Sequence, residues 1–400
     1  MEQRTKLFLF TFLFLFANQS AILSIAVESK ITYINVMSLG AKPDGKTDST
    51  AALTSAWTAA CNSSKPASIY VPKGRFLVNQ QAELSGPCRN KVITMRIDGS
   101  IIAPSDYNVL GSTMFWIEFK SVDGLSIRGG FLDGKGTGLW ACKAASGKSC
   151  PTGVSTLGFT NSNNIKIYGL TSLNSQLFHI VFNGCTNVKV QGVKVTAAGN
   201  SPNTDGIHLQ FSTGVKILNS KISTGDDCIS IGPGTSNLSI EDVICGPGHG
   251  ISIGSLGRDF EEEGVQNVTV KRVTFINTQN GVRIKSWGRP SKGFVNHVVF
   301  QHATMINVQN PIVIDQNYCP DHINCPGEVS GVQINDVLYQ DIHGTSATEV
   351  AVKFDCSKKN PCKGITLEDV KLNYKNQQAK SQCANAGGNS LGLIEPSSCL

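Results

Sequence analysis

The sequence predicts an all-β solenoid, a single-stranded right-handed parallel β-helix with an N-terminal capping helix. Three observations predict it. Two short phrases recur in step along most of the chain. Each alternates apolar and polar residues, the period-2 signature of a half-buried strand. The repeats return every 22 to 31 residues with frequent turn residues, and 40 of the 400 residues are glycine, as stacked coils require.

At the N-terminus, Arg4 and Lys6 precede the apolar run Leu7–Phe16, which only Thr11 interrupts. Small residues follow, and Ser24-Ile25-Ala26 offers a cleavage site. The pattern reads as a secretory signal peptide over residues 1–26. It is too short for a comfortable membrane span, and no later stretch could cross a bilayer. Residues 27–400 are read as one solenoid domain, since no Pro/Ser-rich linker divides them. Thr47-Asp48 followed by Leu53, Ala56, Trp57 and Ala60 predicts one capped amphipathic helix. Its place is over the open first coil.

The first phrase appears as Asn164-Ile165-Lys166-Ile167 and returns at Val188, Val215, Leu238 and Val268. Gly331-Val332-Gln333-Ile334 and Gly364-Ile365-Thr366-Leu367 continue it. The second runs through Asp205-Gly206-Ile207-His208-Leu209, Asp227-Cys228-Ile229, His249-Gly250-Ile251 and Asn280-Gly281-Val282, closing at Asn310-Pro311-Ile312. A leucine-rich repeat has a similar period, but the inward residues are mostly Ile and Val and no helix recurs. One coil cannot close a core alone, so the repeats fold together. The segment from Cys356 to Cys399 is read as the cover of the far end.

Thirteen cysteines fit an oxidising compartment. Proximity pairs Cys228 with Cys245, Cys319 with Cys325, Cys356 with Cys362 and Cys383 with Cys399. The pairing of Cys61, Cys88, Cys142 and Cys150 stays open, with Cys61–Cys88 and Cys142–Cys150 the expected pairs, and Cys185 stands alone in a strand-like run. No CxxC spacing points to zinc. Asn62, Asn237 and Asn267 open glycosylation sequons, usable in a secreted chain. A formal charge of +6 with only 16% charged residues excludes a disordered chain, a coiled coil and a highly charged nucleic-acid binder.

Coil register turns spacing into geometry, because neighbouring coils lie ~4.8 Å apart. Asp205, Asp227 and His249 share one column, each two residues before an inward apolar residue, and Asp226 lies beside it. Arg283 and Lys285 fall on the outward parity of the fourth copy. Strict alternation would turn the Asp column inward, so the chain must bend just before each strand, aided by Gly206 and Gly250. Stacked carboxylates raise one another's proton affinity. A protonated and an ionised carboxyl together suit glycosidic cleavage, and the Arg/Lys pair suits a substrate that bears carboxylates. Calcium binding by the same Asp cluster is the competing reading. His179 and His208 are read as structural.

Ser201-Pro202-Asn203-Thr204-Asp205-Gly206, Gly225-Asp226-Asp227-Cys228, Gly248-His249-Gly250 and Arg283-Ile284-Lys285 resemble, in order and spacing, the four motifs of the polygalacturonases, glycoside hydrolase family 28. Asn317-Tyr318-Cys319-Pro320 is similar to the family's downstream tyrosine motif. The stretch Val36 to Asp48 resembles the N-terminal signature of its plant members. The resemblance implies hydrolysis of α-1,4 bonds between galacturonates in pectin, with inversion and no cofactor or metal. Carried over by motif, it makes Asp226 the general acid. Asp205 and Asp227 hold and deprotonate the water, and His249 supports the acid. Arg283 and Lys285 bind a galacturonate carboxylate, Tyr318 lines the adjoining subsite and Asn203 orients the sugar or the acid. It further implies a secreted, monomeric cell-wall enzyme whose partner is polygalacturonate, without nucleic-acid or mature-form membrane contacts. The nearest likeness is to pollen-type exopolygalacturonases, which favours exo over endo attack. A calcium-dependent pectate lyase and a non-catalytic polysaccharide-binding β-helix are the alternatives.

Overall fold

The computed structural model describes residues 31–400 except 112, 146–148 and 321–322. The signal peptide expected over residues 1–26 lies outside the described residues. Eleven parallel strands form one sheet, from Ala82–Ser85 through Ile207–Gln210, Ile229–Ile231, Ile251–Leu256 and Asn280–Trp287 to Lys380–Ala384. A larger sheet wraps the remaining sides of each coil. Its strands also pair in parallel, apart from the short Gln377–Gln378 strand at the end.

Backbone register shows why these residues stack. In the eleven-stranded sheet Ile180, Ile207, Ile229, Ile251, Val282, Ile312 and Val352 are successive Cα partners. In the larger sheet Ile165, Val188, Val215, Leu238, Val268, Val298 and Val337 form a second column. All of these side chains are buried. The phrase at residues 331–334 belongs elsewhere in the register than its wording suggests. Ile334 pairs with Val295, and Val337 fills the Val298 column. Val332, the counterpart of Ile165 by wording, lies just before the strand Gln333–Ser346, and the column is filled five residues later.

Helix α1 (Thr50–Asn62) buries Leu53, Ala56, Trp57 and Ala60 over the first coils. Asp48 supplies its cap by accepting from the Thr50 amide at 2.9 Å. The Trp57 ring meets Phe119 edge-on at 5.2 Å. Phe119, Phe159 and Phe182 then stack at 5.3 and 5.0 Å, one per coil. A second helix, α2 (Thr137–Ala144), has no counterpart in the sequence reading. It is short, and Trp140 ties it to the Ser175 carbonyl at 3.1 Å. At the far end Ala386–Glu395 lies on Cys362–Tyr374 as a last parallel strand. Six disulfides join Cys61–Cys88, Cys142–Cys150, Cys228–Cys245, Cys319–Cys325, Cys356–Cys362 and Cys383–Cys399. Cys185 is buried and unpaired.

Candidate active site

The Asp column sits where strand alternation fails. Cys228 and Ile229 are consecutive in sequence and both fully buried in the core, so Asp227 is turned to the outer side. Glycine makes the bend possible. A Cβ on Gly206 would lie 2.4 Å from Ile222, and one on Gly250, whose φ is +88°, would lie 2.2 Å from the Asn280 carbonyl.

Asp227 is 1% exposed and accepts three charged or polar donors. Ser252 Oγ and Arg283 Nη2 donate to Oδ1 at 2.7 and 2.9 Å, and Lys285 Nζ donates to Oδ2 at 2.8 Å. Burial alone would raise its pKa, but the charges of Lys285 and Arg283 overcome this and hold it down to about 2. Asp205 has the opposite balance. Burial, then the negative charges of Asp226 and Asp227, push its pKa well above the usual carboxylate range, while a Ser230 hydrogen bond pulls modestly downward.

Asp226 is the most accessible carboxyl of the three, with its side chain 20% exposed. Its Oδ1 accepts from the Asp227 amide at 2.8 Å and lies 3.1 Å from His249 Nδ1. The His249 amide in turn donates to the Asp226 carbonyl at 2.7 Å. Tyr318 lies over both cations, its ring centroid 5.1 Å from Lys285 Nζ and 5.9 Å from the Arg283 guanidinium carbon. Asn203 is exposed, with φ of 55°, in the turn that leads into Asp205. Asn62, Asn237 and Asn267 are all exposed and away from this column.

One sequence expectation changes. Lys285 lies on the outward parity yet is only 6% exposed, because Asp227 and the Tyr318 ring cover it. Its removal would strip a buried anion of a partner, so it is not a surface group that can be lost freely. Asp226, Asp227 and His249 each bring a ligand-type atom within 4.8 Å of the others. The same closeness is what kept calcium open on sequence. Here Asp227 already accepts from two cations, which would repel a divalent ion.

Ser230 and Ser252 escaped the sequence reading, and His208, read there as structural, belongs with them. His208, Ser230, Ser252 and Arg283 are successive register partners. Ser252 bridges Asp227 and Arg283 Nε, the latter at 3.0 Å. Ser230 bonds Asp205 and lies 2.8 Å from His208 Nδ1. His208 stacks on Phe178 at 4.8 Å, and burial lowers its pKa to about 4, so the ring is neutral. The signal was present: each stands three residues after a member of the Asp205/Asp227/His249 column. His208 and Trp287 also line an open groove of about 680 Å³ beside the carboxylates, with Phe211, Arg258 and Glu262.

Stacked coils that gather carboxylates, a histidine and a cation pair beside an open groove define the class of β-helical polysaccharide-cleaving enzymes. Residues 61–398 match the model of glycosyl hydrolases family 28. The chain is 64% identical over 400 residues to a polygalacturonase of Prunus persica, covering all of both chains. It is 41% identical over 371 residues to an exopolygalacturonase of Zea mays, covering 92% of this chain and 90% of the relative. Among solved structures, endo-xylogalacturonan hydrolase from Aspergillus tubingensis superposes with a TM-score of 0.78 at 24% identity, over 90% of this chain and all of that one. The chain belongs to glycoside hydrolase family 28.

Proposed function

We propose that this chain is a polygalacturonase that hydrolyses α-1,4-galacturonosyl bonds of pectin with inversion. The observation that carries the reading is the unequal electrostatics of its three carboxylates. Asp227 is locked as an anion by Arg283 and Lys285. Asp205 holds protons tightly because it is buried beside two anions. Asp226 is the accessible one, with His249 on its Oδ1.

These differences divide the labour. Asp226 delivers a proton from Oδ2 to the leaving glycosidic oxygen. His249 fixes the acid's rotamer through Oδ1. Asp227 orients the water but is a poor base at a pKa of about 2. Asp205, the stronger base, takes the water's proton as oxygen attacks the anomeric carbon. The water sits against Asp205 and Asp227, opposite the acid. Arg283 has five N–H donors and Lys285 three. Each retains donors beyond those spent on Asp227, and these hold a galacturonate carboxylate. Tyr318 packs against that sugar, and Asn203 lies at the mouth of the site.

The relatives named exopolygalacturonase, among them those of Zea mays and Platanus acerifolia at 41% and 42% identity, support attack from chain ends. Six disulfides and three exposed sequons support secretion, by way of the leader at residues 1–26, to the cell wall. Early products from long polygalacturonate test the first point: single sugars at once mean exo attack, and a spread of oligomers means endo. Proton NMR of the first product tests the chemistry, with a β-anomer expected. Asp226→Asn keeps shape but cannot give a proton, so kcat falls at least ~10²-fold with folding unchanged. An initial α-anomer, or near-normal turnover by that variant, would remove Asp226 from the acid's role.

A further inference from the structure

We infer that the larger sheet, which does not carry the catalytic residues, bears a second, non-catalytic binding surface for polygalacturonate, built on Lys166, Lys189 and Lys216. The inference rests on the polygalacturonase reading for the identity of the polymer.

The first observation is charge segregation. Residues 134–225 contain eight lysines and no arginine, and their single acidic residue is Asp205, buried at the catalytic site. This stretch sums to +7, while the other 308 residues together carry −1. The chain's net positive charge therefore comes from a few adjacent coils.

The second observation is register. Lys166, Lys189 and Lys216 are successive Cα partners in parallel strands. They form a column along the solenoid axis, one cation per ~4.8 Å. Lys194 and Lys221 make a parallel row, also in register, one strand further along each coil. Lys166, Lys194, Lys216 and Lys221 are exposed and Lys189 half-exposed. Between the rows stands Tyr168, whose ring centroid lies 5.7 Å from Lys189 Nζ.

The third observation is the missing counter-charge. Several other cations on this solenoid are paired, among them Lys91 with Asp123, Arg96 with Asp98, Arg272 with Glu241 and Asp242, and Lys380 with Glu349. Among the described residues, none of the five ladder lysines forms an ion pair. Like charges directly opposite across strands are destabilising. An extended polyanion laid along the axis relieves that repulsion. Polygalacturonate has this chemistry, with a carboxylate on every sugar and hydroxylated faces that suit the Tyr168 ring. Such a surface would hold the enzyme on its polymer while the groove works on a chain end.

Native electrophoresis through gels containing polygalacturonate tests this, using the Asp226→Asn chain so that the gel is not digested. Adding Lys166→Gln, Lys189→Gln and Lys216→Gln should raise the polymer concentration needed for equal retardation by about tenfold, the sum of three exposed charge pairs. The difference should shrink at high salt and be absent in gels of fully methyl-esterified pectin. In the active chain the same three changes should leave kcat/KM on trigalacturonate unaltered. Equal retardation of the two proteins would overturn the inference. So would an equal loss on polyglutamate gels, which would mean an unspecific cationic patch, or a parallel loss on trigalacturonate, which would put the lysines in the catalytic groove. Failure of the enzymatic reading shows separately, as no reducing ends released from polygalacturonate by the unmodified chain.

Discussion

At the residue scale, the site turns on where each carboxylate finds its counter-charge. Asp227 has two cations within 2.9 Å, and the sign of its effect on stability follows. Its folded pKa lies below the unfolded value, so its contribution is full above about pH 4 and is lost as pH falls toward 2. Asp205 acts oppositely: its raised pKa favours the fold at low pH, and that contribution is lost as pH rises through the folded value. Lys285→Ala should therefore lower stability by ~3–5 kcal/mol, the cost of breaking a buried pair, visible as a fall in Tm alongside lost activity. An unchanged Tm would mean that Arg283 alone satisfies Asp227. Ser230→Ala is a subtler probe. Ser230 lowers the Asp205 pKa, so its removal should raise it further. A base that stays protonated to higher pH moves the acid limb of the pH–rate profile upward, leaving the alkaline limb in place. A shifted alkaline limb instead would assign that proton to the acid. The four charged motifs were legible in sequence because three carry glycines beside their Asp or His and the fourth is an Arg/Lys pair. Ser230 and Ser252 were not, because serine between two isoleucines looks like any outward strand residue until coils are stacked.

At the element scale, one coil is defined by what it stacks on. Phe119, Phe159 and Phe182 make an aromatic column through three coils, and Phe159 in its middle is fully buried. Phe159→Ala should cost ~3–5 kcal/mol and widen nothing at the site itself, so kcat at low temperature should persist while Tm drops. Loss of kcat in step with a normal Tm would instead tie this column to catalysis. The period-2 pattern located most strands, since alternation states which face is buried. It could not fix the register at residues 331–334, where one long strand offers two equally good alternations. It also missed α2, whose eight residues are held by Trp140 on a neighbouring loop rather than by an apolar stripe of their own.

At the scale of the whole molecule, a solenoid has two ends and no other edges. Every inner coil is satisfied by its neighbours, so the ends decide solubility. The two ends are treated differently. At the start, α1 lays Leu53, Ala56, Trp57 and Ala60 over the first coils, and Cys61–Cys88 fastens it. At the finish, the strand Ala386–Glu395 is largely exposed, with Leu391 and Leu393 both more than half accessible, and Cys383–Cys399 staples the segment. The capping helix was readable from its 3.6-residue spacing. The open character of the C-terminal end was not, since cysteines announce a staple without saying what it covers. The asymmetry makes a prediction about assembly. Removing residues 31–62, with Cys88→Ser to avoid a free thiol, uncovers apolar side chains and paired-strand edges together. The truncated chain should associate more than the unmodified chain, in proportion to concentration, as seen by light scattering. Removing residues 386–400, with Cys383→Ser, exposes the Cys362–Tyr374 strand, but that end is already open, so association should rise far less. If the two truncations associate equally, the helix is not the cap that keeps the solenoid apart from its copies.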